Sequence, residues 1–146
     1  MVFDKMLRLA EKLNLPAIIH SRGTTAHIVD VLPSYNLKRV LLHWFSRPMS
    51  ALYKAVDHGY YITEGPPVAY SNGIRHVVNK VPLTNFLTET DGPVSYRKNP
   101  YHGQMTKPSF IKTVVEAVAE VKNMKVADVA DQIARNFEVF FNIKLN

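Results

Sequence analysis

Short apolar runs alternate with amphipathic stretches along this chain of 146 residues. Apolar residues at helical spacing predict a helix over 2–13, which Asn14 and Pro16 end. The run PAIIH at 16–20 is apolar up to its histidine, as is typical of a strand buried on both faces. The same alternation predicts strands at 16–20, 39–44, 60–63 and 85–90, helices at 2–13, 24–32, 49–59, 71–80, 107–122 and 126–135, and a separate apolar stretch at 137–143.

Strands that alternate with helices predict an α/β fold with a parallel sheet. Closing a (β/α) barrel takes eight strands and about 250 residues, whereas this pattern contains only four such units. We therefore expect a single domain over 1–146: a parallel half-barrel of about four strands with flanking helices, equivalent to the second half of a TIM barrel. The edges of such a sheet would be bare, and bare edges invite pairing with another chain. The expected partner is either a second copy of this chain or a separate N-terminal half-barrel chain.

Three of the predicted strands end in residues that bind metals. His20 and His43 lie about 23 positions apart, and Asp91 follows about twice that distance later. The carboxyl ends of parallel strands meet at one edge, so these side chains are expected to converge there. Glu89 shares the face of Asp91 one layer below and would orient a ligand by hydrogen bonding. Imidazole and carboxylate groups suit Zn²⁺, Mn²⁺ or Mg²⁺. Taken alone, a histidine at a strand end is more often a hydrogen-bonded structural residue, and a carboxylate before Gly-Pro often caps a turn.

The composition narrows the chemistry that is available. The chain has no cysteine, which excludes disulfides and thiolate metal sites, so any metal must be held by histidine and carboxylate. A net charge of +6 favours polyanionic partners, although a lysine-rich surface gives the same balance. No apolar stretch approaches the roughly 18 residues that a membrane span needs, and the first residues form an amphipathic pattern rather than a signal peptide. We expect a cytoplasmic protein without membrane contact.

Basic residues lie in the loops that follow the predicted strands. Arg22 and Arg47 come shortly after the two histidines, where a guanidinium group would match phosphate oxygens or form a surface salt bridge. The long segment 92–108 places Tyr96 and Tyr101 among basic residues. Such a mixture suits single-stranded nucleic acid, and ordinary loop composition explains it nearly as well.

Taken together, these segments resemble the TatD family of metal-dependent hydrolases, a branch of the amidohydrolase-like barrels. The resemblance covers essentially the whole chain, in order and with the spacing of the family. The matching segments are LAEKLNLPAIIHSR, VLLHWFSR, FLTETDGP, NPYHGQMTKPSFI and ARNFEVFF.

The resemblance implies a TIM-like barrel, a divalent metal ion and hydrolysis of phosphodiester bonds, usually described as deoxyribonuclease activity on DNA. By motif, His20, His43 and Asp91 match metal ligands in the second half of the family's barrel, and Glu89 matches the acidic residue two before its aspartate. Asp91 would also help to take the proton from the attacking water. The family's N-terminal His-x-His and mid-chain Glu ligands are not in this sequence, so we expect activity to require completion of the barrel. The alternative is an inactive half-barrel that serves as a homodimeric or complementing structural module.

Overall fold

The structure is a computed structural model that describes residues 1–145. Its four strands form one sheet in the order β1-β2-β3-β4, with every neighbouring pair parallel. The strands are β1 (Ala17–His20), β2 (Val40–His43), β3 (Tyr61–Glu64) and β4 (Phe86–Thr88), and the α-helices are α1 (Val2–Leu13), α2 (Thr25–Val31), α3 (Met49–Asp57), α4 (Asn72–Lys80), α5 (Ile111–Lys122) and α6 (Val126–Phe141). The predicted α/β fold of about four parallel strands with flanking helices is confirmed.

Alternation along the strands sends successive side chains to opposite faces of the sheet. One face packs against the helices and forms the main core, in which the strand residues are almost fully buried. Burial of this many apolar side chains is the main stabilising contribution to the fold. The strand residues in this core are Ala17, Ile19, Val40, Leu42, Ile62 and Phe86, and the helices contribute Leu7, Leu52, Val78, Val118 and Val129, among others.

The other face of the sheet is covered at one side and open at the other. Phe140 of α6 is fully buried against Leu41 and Leu87, and its ring centroid lies 5.2 Å from that of Tyr61. At the β1 edge, by contrast, Ile18 is 56% exposed. The face that would line the inside of a barrel is therefore only partly covered by this chain.

Helix α6 is longer than the sequence pattern predicts. The stretch 137–143 was expected to be a separate apolar segment, but α6 continues through Phe141. The buried Asn136 explains how this helix is held, because its amide donates to the carbonyl oxygens of Leu83 (2.7 Å) and Phe86 (2.8 Å) at the start of β4. A side chain that satisfies two main-chain acceptors fixes the rotation of the helix about its axis.

The orientation that Asn136 gives to α6 also determines which of its apolar residues are buried. Helical spacing along this stretch predicts a buried stripe of Val126, Val129, Ile133 and Phe137. In the structure Val129 is fully buried and Ile133 half-buried, whereas Val126 and Phe137 are 47% and 37% exposed and Phe140 is fully buried instead. Strand β3 also differs slightly from its predicted bounds, since it extends to Glu64. Within residues 1–145, no helix is both long enough and apolar enough to cross a membrane.

Candidate metal centre

His43, at the end of β2, lies between two carboxylates that follow β4. Its Nδ1 is 2.5 Å from Oε2 of Glu89, and its Nε2 is 3.4 Å from Oδ1 of Asp91. The three side chains are 17%, 15% and 27% exposed, so the group sits near the surface at the carboxyl end of the sheet without being fully solvated. The structure thus brings together three of the four residues that the sequence assigns to the metal site and its support.

His20 joins this group from the neighbouring strand. It is directly opposite His43 in the parallel register of β1 and β2, and the two imidazole centroids are 5.4 Å apart. His20 is exposed because β1 is an edge strand. The two histidines therefore lie side by side along the rim of the sheet.

The candidate ligand side chains do not form a closed metal-binding site. Across residues 1–145, no three His, Asp or Glu side chains are close enough together to hold a single ion. What the structure does contain is the contact of His43 with Glu89 and Asp91, and the adjacent imidazole of His20. The ligand roles of His20, His43 and Asp91 remain predictions.

Thr63 is a member of this group that sequence reasoning missed. Its hydroxyl donates to Oε2 of Glu89 at 2.5 Å and accepts from the backbone N–H of Trp44 at 3.2 Å. Thr63 is 4% exposed and sits on β3, between the strands that carry the histidine and the carboxylates. The available signal was strand alternation, which places Thr63 on the same face as the imidazole of His43.

Two residues of the site have left-handed backbones. Trp44 has φ of 44° and Asp91 has φ of 51°. Aspartate tolerates this region, but a bulky aromatic residue there is unusual, and such conformations persist where the surrounding structure imposes them. The turn at Trp44 places its amide against Thr63 and its indole edge-on to the ring of His43, with centroids 6.5 Å apart.

Burial controls the electrostatics of the carboxylates. It raises the pKa of Glu89, an effect that the hydrogen bond from Thr63 and the nearby His43 oppose. It also raises the pKa of Glu64 well above its usual range, with a further contribution from the charge of Glu89. In the described part of the chain, neither carboxylate oxygen of Glu64 has a hydrogen-bond partner, and neither does Oε1 of Glu89.

The long segment 92–108 covers an aromatic cluster rather than presenting one. Tyr96 and Tyr101 are 6% and 2% exposed and pack with Phe110, so they are not available to stack on nucleic-acid bases as the sequence suggested. The Tyr96 hydroxyl donates to the carbonyl of Thr90 at 2.9 Å, and burial raises the pKa of Tyr96. Because Tyr96 also packs on Trp44, at 6.1 Å between centroids, the loop supports both left-handed turns of the site.

Arg22 and Arg47 occupy the loops after β1 and β2, on the same end of the sheet as the two histidines. Both are exposed. Arg47 also lines a shallow pocket of about 370 Å³ between these loops, together with Gly23, Thr25 and Ser46. Their placement is compatible with a role in binding phosphate, which stays a prediction.

Nearly the whole chain is similar to known proteins. Residues 1–142 match the family model described as "TatD related DNase". The chain is 31% identical over 146 residues to the uncharacterized metal-dependent hydrolase YabD of Bacillus subtilis, covering 97% of this chain and 57% of YabD. It is 30% identical over 135 residues to the human deoxyribonuclease TATDN3, covering 92% of this chain and 48% of TATDN3.

A solved structure agrees with the observed fold. The TatD homologue YjjV of Escherichia coli K12 superposes with a TM-score of 0.87 at 30% identity, covering 97% of this chain and 55% of YjjV. The chain thus spans about half the length of the relatives that it matches.

Proposed function

Because the chain belongs to the TatD-related DNase family, we propose that it supplies part of the active site of a divalent-metal-dependent hydrolase of DNA phosphodiester bonds. The observation that carries this proposal is the position of His43 between Glu89 and Asp91, beside His20 at the carboxyl ends of parallel strands. Active sites of (β/α) barrels are built at that end.

The donor set suits a divalent ion. Nε2 of His43 and Oδ1 of Asp91 are 3.4 Å apart. Two atoms bound to one tetrahedral ion at about 2.1 Å are about 3.4 Å from each other, so the observed pair fits such an ion. When Nδ1 of His43 carries the hydrogen, both of these atoms present lone pairs, and a shared cation would remove their repulsion.

His20, His43 and Asp91 would hold the ion. A bound divalent ion would lower the pKa of a water molecule and polarise a phosphoryl oxygen. Asp91 would accept a proton at its carboxylate, and Glu89, whose Oε2 lies 2.5 Å from Nδ1 of His43, would keep that imidazole oriented. Arg22 and Arg47 would offset the charge of the phosphate from the adjoining loops.

We further propose that activity requires completion of the barrel. The supporting observations are the half-length match and the open sheet face at β1. A groove of about 420 Å³ follows that edge, lined by apolar residues of α1 and β1 that include Met6, Leu9 and Ile18. The completing element would be a second copy of this chain or a separate N-terminal half-barrel chain. An inactive half-barrel that serves only as a structural module is the competing proposal, favoured by the failure of the side chains described here to close around one ion.

The decisive experiment measures metal binding and nuclease activity on the native assembly. Isothermal titration calorimetry with Zn²⁺, Mn²⁺ and Mg²⁺, after removal of any purification tag, would be followed by cleavage assays on DNA with each metal. We expect His43→Ala and Asp91→Asn to abolish binding and cleavage, while His76→Ala, an exposed histidine on α4, changes neither.

The oligomeric state separates the two proposals for the function. Native mass spectrometry should show an assembly that contains at least two half-barrels wherever cleavage is found. Cleavage that is equal in the His43 and Asp91 variants would contradict the metal site. A wild-type assembly that neither binds metal nor cleaves DNA would leave the structural module as the function.

A further inference from the structure

A directional chain of hydrogen bonds leads from the main chain to the imidazole of His43. We propose that Thr63 is a positioning residue that holds Oε2 of Glu89 against Nδ1 of His43 as an acceptor, and thereby keeps His43 in the tautomer with hydrogen on Nδ1 and a bare Nε2. The bare nitrogen is the one that faces Asp91. The use of that nitrogen for a metal rests on the proposed function; the tautomer itself does not.

The direction of the chain follows from its first member. A backbone N–H can only donate, so the Trp44 amide must donate to Oγ1 of Thr63 (3.2 Å). The hydroxyl hydrogen of Thr63 is then left to point at Oε2 of Glu89 (2.5 Å). An oxygen that already accepts this hydrogen is suited to accept a second one from Nδ1 of His43, also at 2.5 Å. The main-chain donor therefore sets the direction of the bond from Thr63, and the carboxylate of Glu89, which has no hydrogen to donate when it is ionised, sets the direction of the bond from Nδ1 of His43.

The backbone holds Thr63 in the position that this chain of bonds requires. Thr63 lies in the middle of the parallel pairing, opposite Leu87 of β4, and it is 4% exposed. A β-branched side chain has few χ1 rotamers, so its hydroxyl stays directed. The left-handed turn at Trp44, with φ of 44°, delivers the donating amide immediately after His43 itself. An unusual backbone conformation is thus used to direct one hydrogen atom.

The consequence concerns which nitrogen is free. Neutral imidazole carries one hydrogen, so fixing it on Nδ1 leaves the lone pair on Nε2. Loss of the Thr63 hydroxyl leaves the Glu89 carboxylate an acceptor but frees it to turn away from Nδ1, so that Oδ1 of Asp91, 3.4 Å from Nε2, competes for the hydrogen of His43. Both tautomers of His43 then become accessible, and a metal would have to select one of them.

The first test reads the tautomer directly in the metal-free protein. Long-range ¹H–¹⁵N correlation spectra, recorded about two pH units above the usual histidine pKa of about 6.5, distinguish the two tautomers of His43. We expect the Nδ1–H tautomer in the wild type and in Thr63→Ser, and a mixture of tautomers in Thr63→Val. Thr88→Val on β4 is the matched control and should retain the wild-type spectrum. An unchanged His43 tautomer in folded Thr63→Val would overturn the inference.

The second test measures affinity for Zn²⁺ alone by calorimetry. Loss of a group that orients a ligand typically weakens metal binding by about 10- to 100-fold, and we expect this loss in Thr63→Val with recovery in Thr63→Ser. Equal affinity in Thr63→Val and Thr88→Val would contradict the positioning role. If Thr63→Val does not fold, judged by circular dichroism, Thr63→Ala carries both tests.

The two proposals fail in different ways. A wild type that binds no Zn²⁺ would contradict the proposed function, whereas the tautomer spectra would still decide the role of Thr63. Normal Zn²⁺ binding with an unaltered tautomer in the Thr63 variants would instead contradict this inference alone.

Discussion

Two glutamates at neighbouring strand ends, one half-buried and one fully buried, lie in different polar environments. Glu89 shares its Oε2 between His43 and Thr63, while Glu64 is fully buried without a partner for either oxygen among the residues described. The backbone N–H of Glu89 donates to the carbonyl of Glu64 at 3.2 Å, so the two residues are neighbours across the ends of β3 and β4. Burial of a carboxyl group therefore does not by itself indicate function. The polar partners of Glu89 mark the site, whereas the burial of Glu64 without a partner is expected to cost free energy of folding.

The contrast extends to the two faces of the sheet. The helix-covered face is apolar along the strands until Glu64 and Thr88 at its carboxyl end, and the opposite face is polar at its carboxyl end and apolar at the end that Phe140 covers. The opposite face remains open beside Ile18. Most buried apolar residues therefore lie on the helix-covered face, and the candidate metal ligands lie on the opposite face. On that opposite face, Phe140 is the helix residue that buries the apolar end of the sheet.

The largest expected effect comes from removing that element. Phe140→Ala should lower the free energy of unfolding by about 3–5 kcal/mol, since it deletes a fully buried aromatic ring and leaves a cavity. Chemical denaturation followed by circular dichroism would measure it. Phe137→Ala, on the same helix but 37% exposed, should cost much less. Equal losses in the two variants would show that the open face does not contribute to the core as described.

The next effect tests the unpaired glutamate. Glu64→Met should raise the free energy of unfolding by about 1–3 kcal/mol at neutral pH, because it replaces an unsatisfied polar group with an apolar one of similar length. Glu116→Met, an exposed position on α5, should change stability by less than about 0.5 kcal/mol. A destabilised Glu64→Met would indicate that the carboxyl group has a favourable interaction after all.

The pH dependence of that difference gives a sharper comparison. Burial raises the pKa of Glu64, so the folded state holds its proton more tightly than the unfolded state. The resulting stabilisation is fully present below the unfolded glutamate pKa of about 4.3 and is lost as pH rises through the folded pKa. The advantage of Glu64→Met over the wild type should therefore grow as pH increases above about 4.3. A difference in the free energy of unfolding between Glu64→Met and the wild type that stays constant across pH would contradict the raised pKa of Glu64.

The order of elements could be predicted from the sequence because each signal is local. Strands such as PAIIH are apolar runs that end in a polar residue, and helices such as 71–80 have a capping residue at the start, with Ser71 accepting from the amide of Ile74. His20 and His43 could be predicted to be neighbours because each ends a strand, and neighbouring parallel strands end at the same edge of the sheet. The register confirms that they are opposite each other.

The parts that sequence reasoning missed depend on distant contacts. Thr63 looks like an ordinary strand residue until Glu89, 26 positions later, lies against its hydroxyl. The rotation of α6 depends on Asn136, whose partners are main-chain carbonyls about 50 residues earlier. For Tyr96 the sequence left base stacking and ordinary loop composition both open, because composition does not reveal that the loop covers its own aromatic cluster. Side-chain pairing between strands and local packing under loops leave no periodic signal.

The smallest effect on folding, at the open edge, separates stability from assembly. Ile18→Lys should change the free energy of unfolding of the isolated chain by less than about 0.5 kcal/mol, since Ile18 is 56% exposed and its loss leaves no cavity. The same charge placed in an apolar interface would be costly to bury, so any assembly through this edge should dissociate. Sedimentation velocity at several concentrations would measure association, with Asn79→Lys, an exposed position on α4 away from this edge, as a control that adds the same charge. If Ile18→Lys leaves the assembly intact, the β1 edge does not complete the barrel. The interface would then lie at the other edge of the sheet, beside β4.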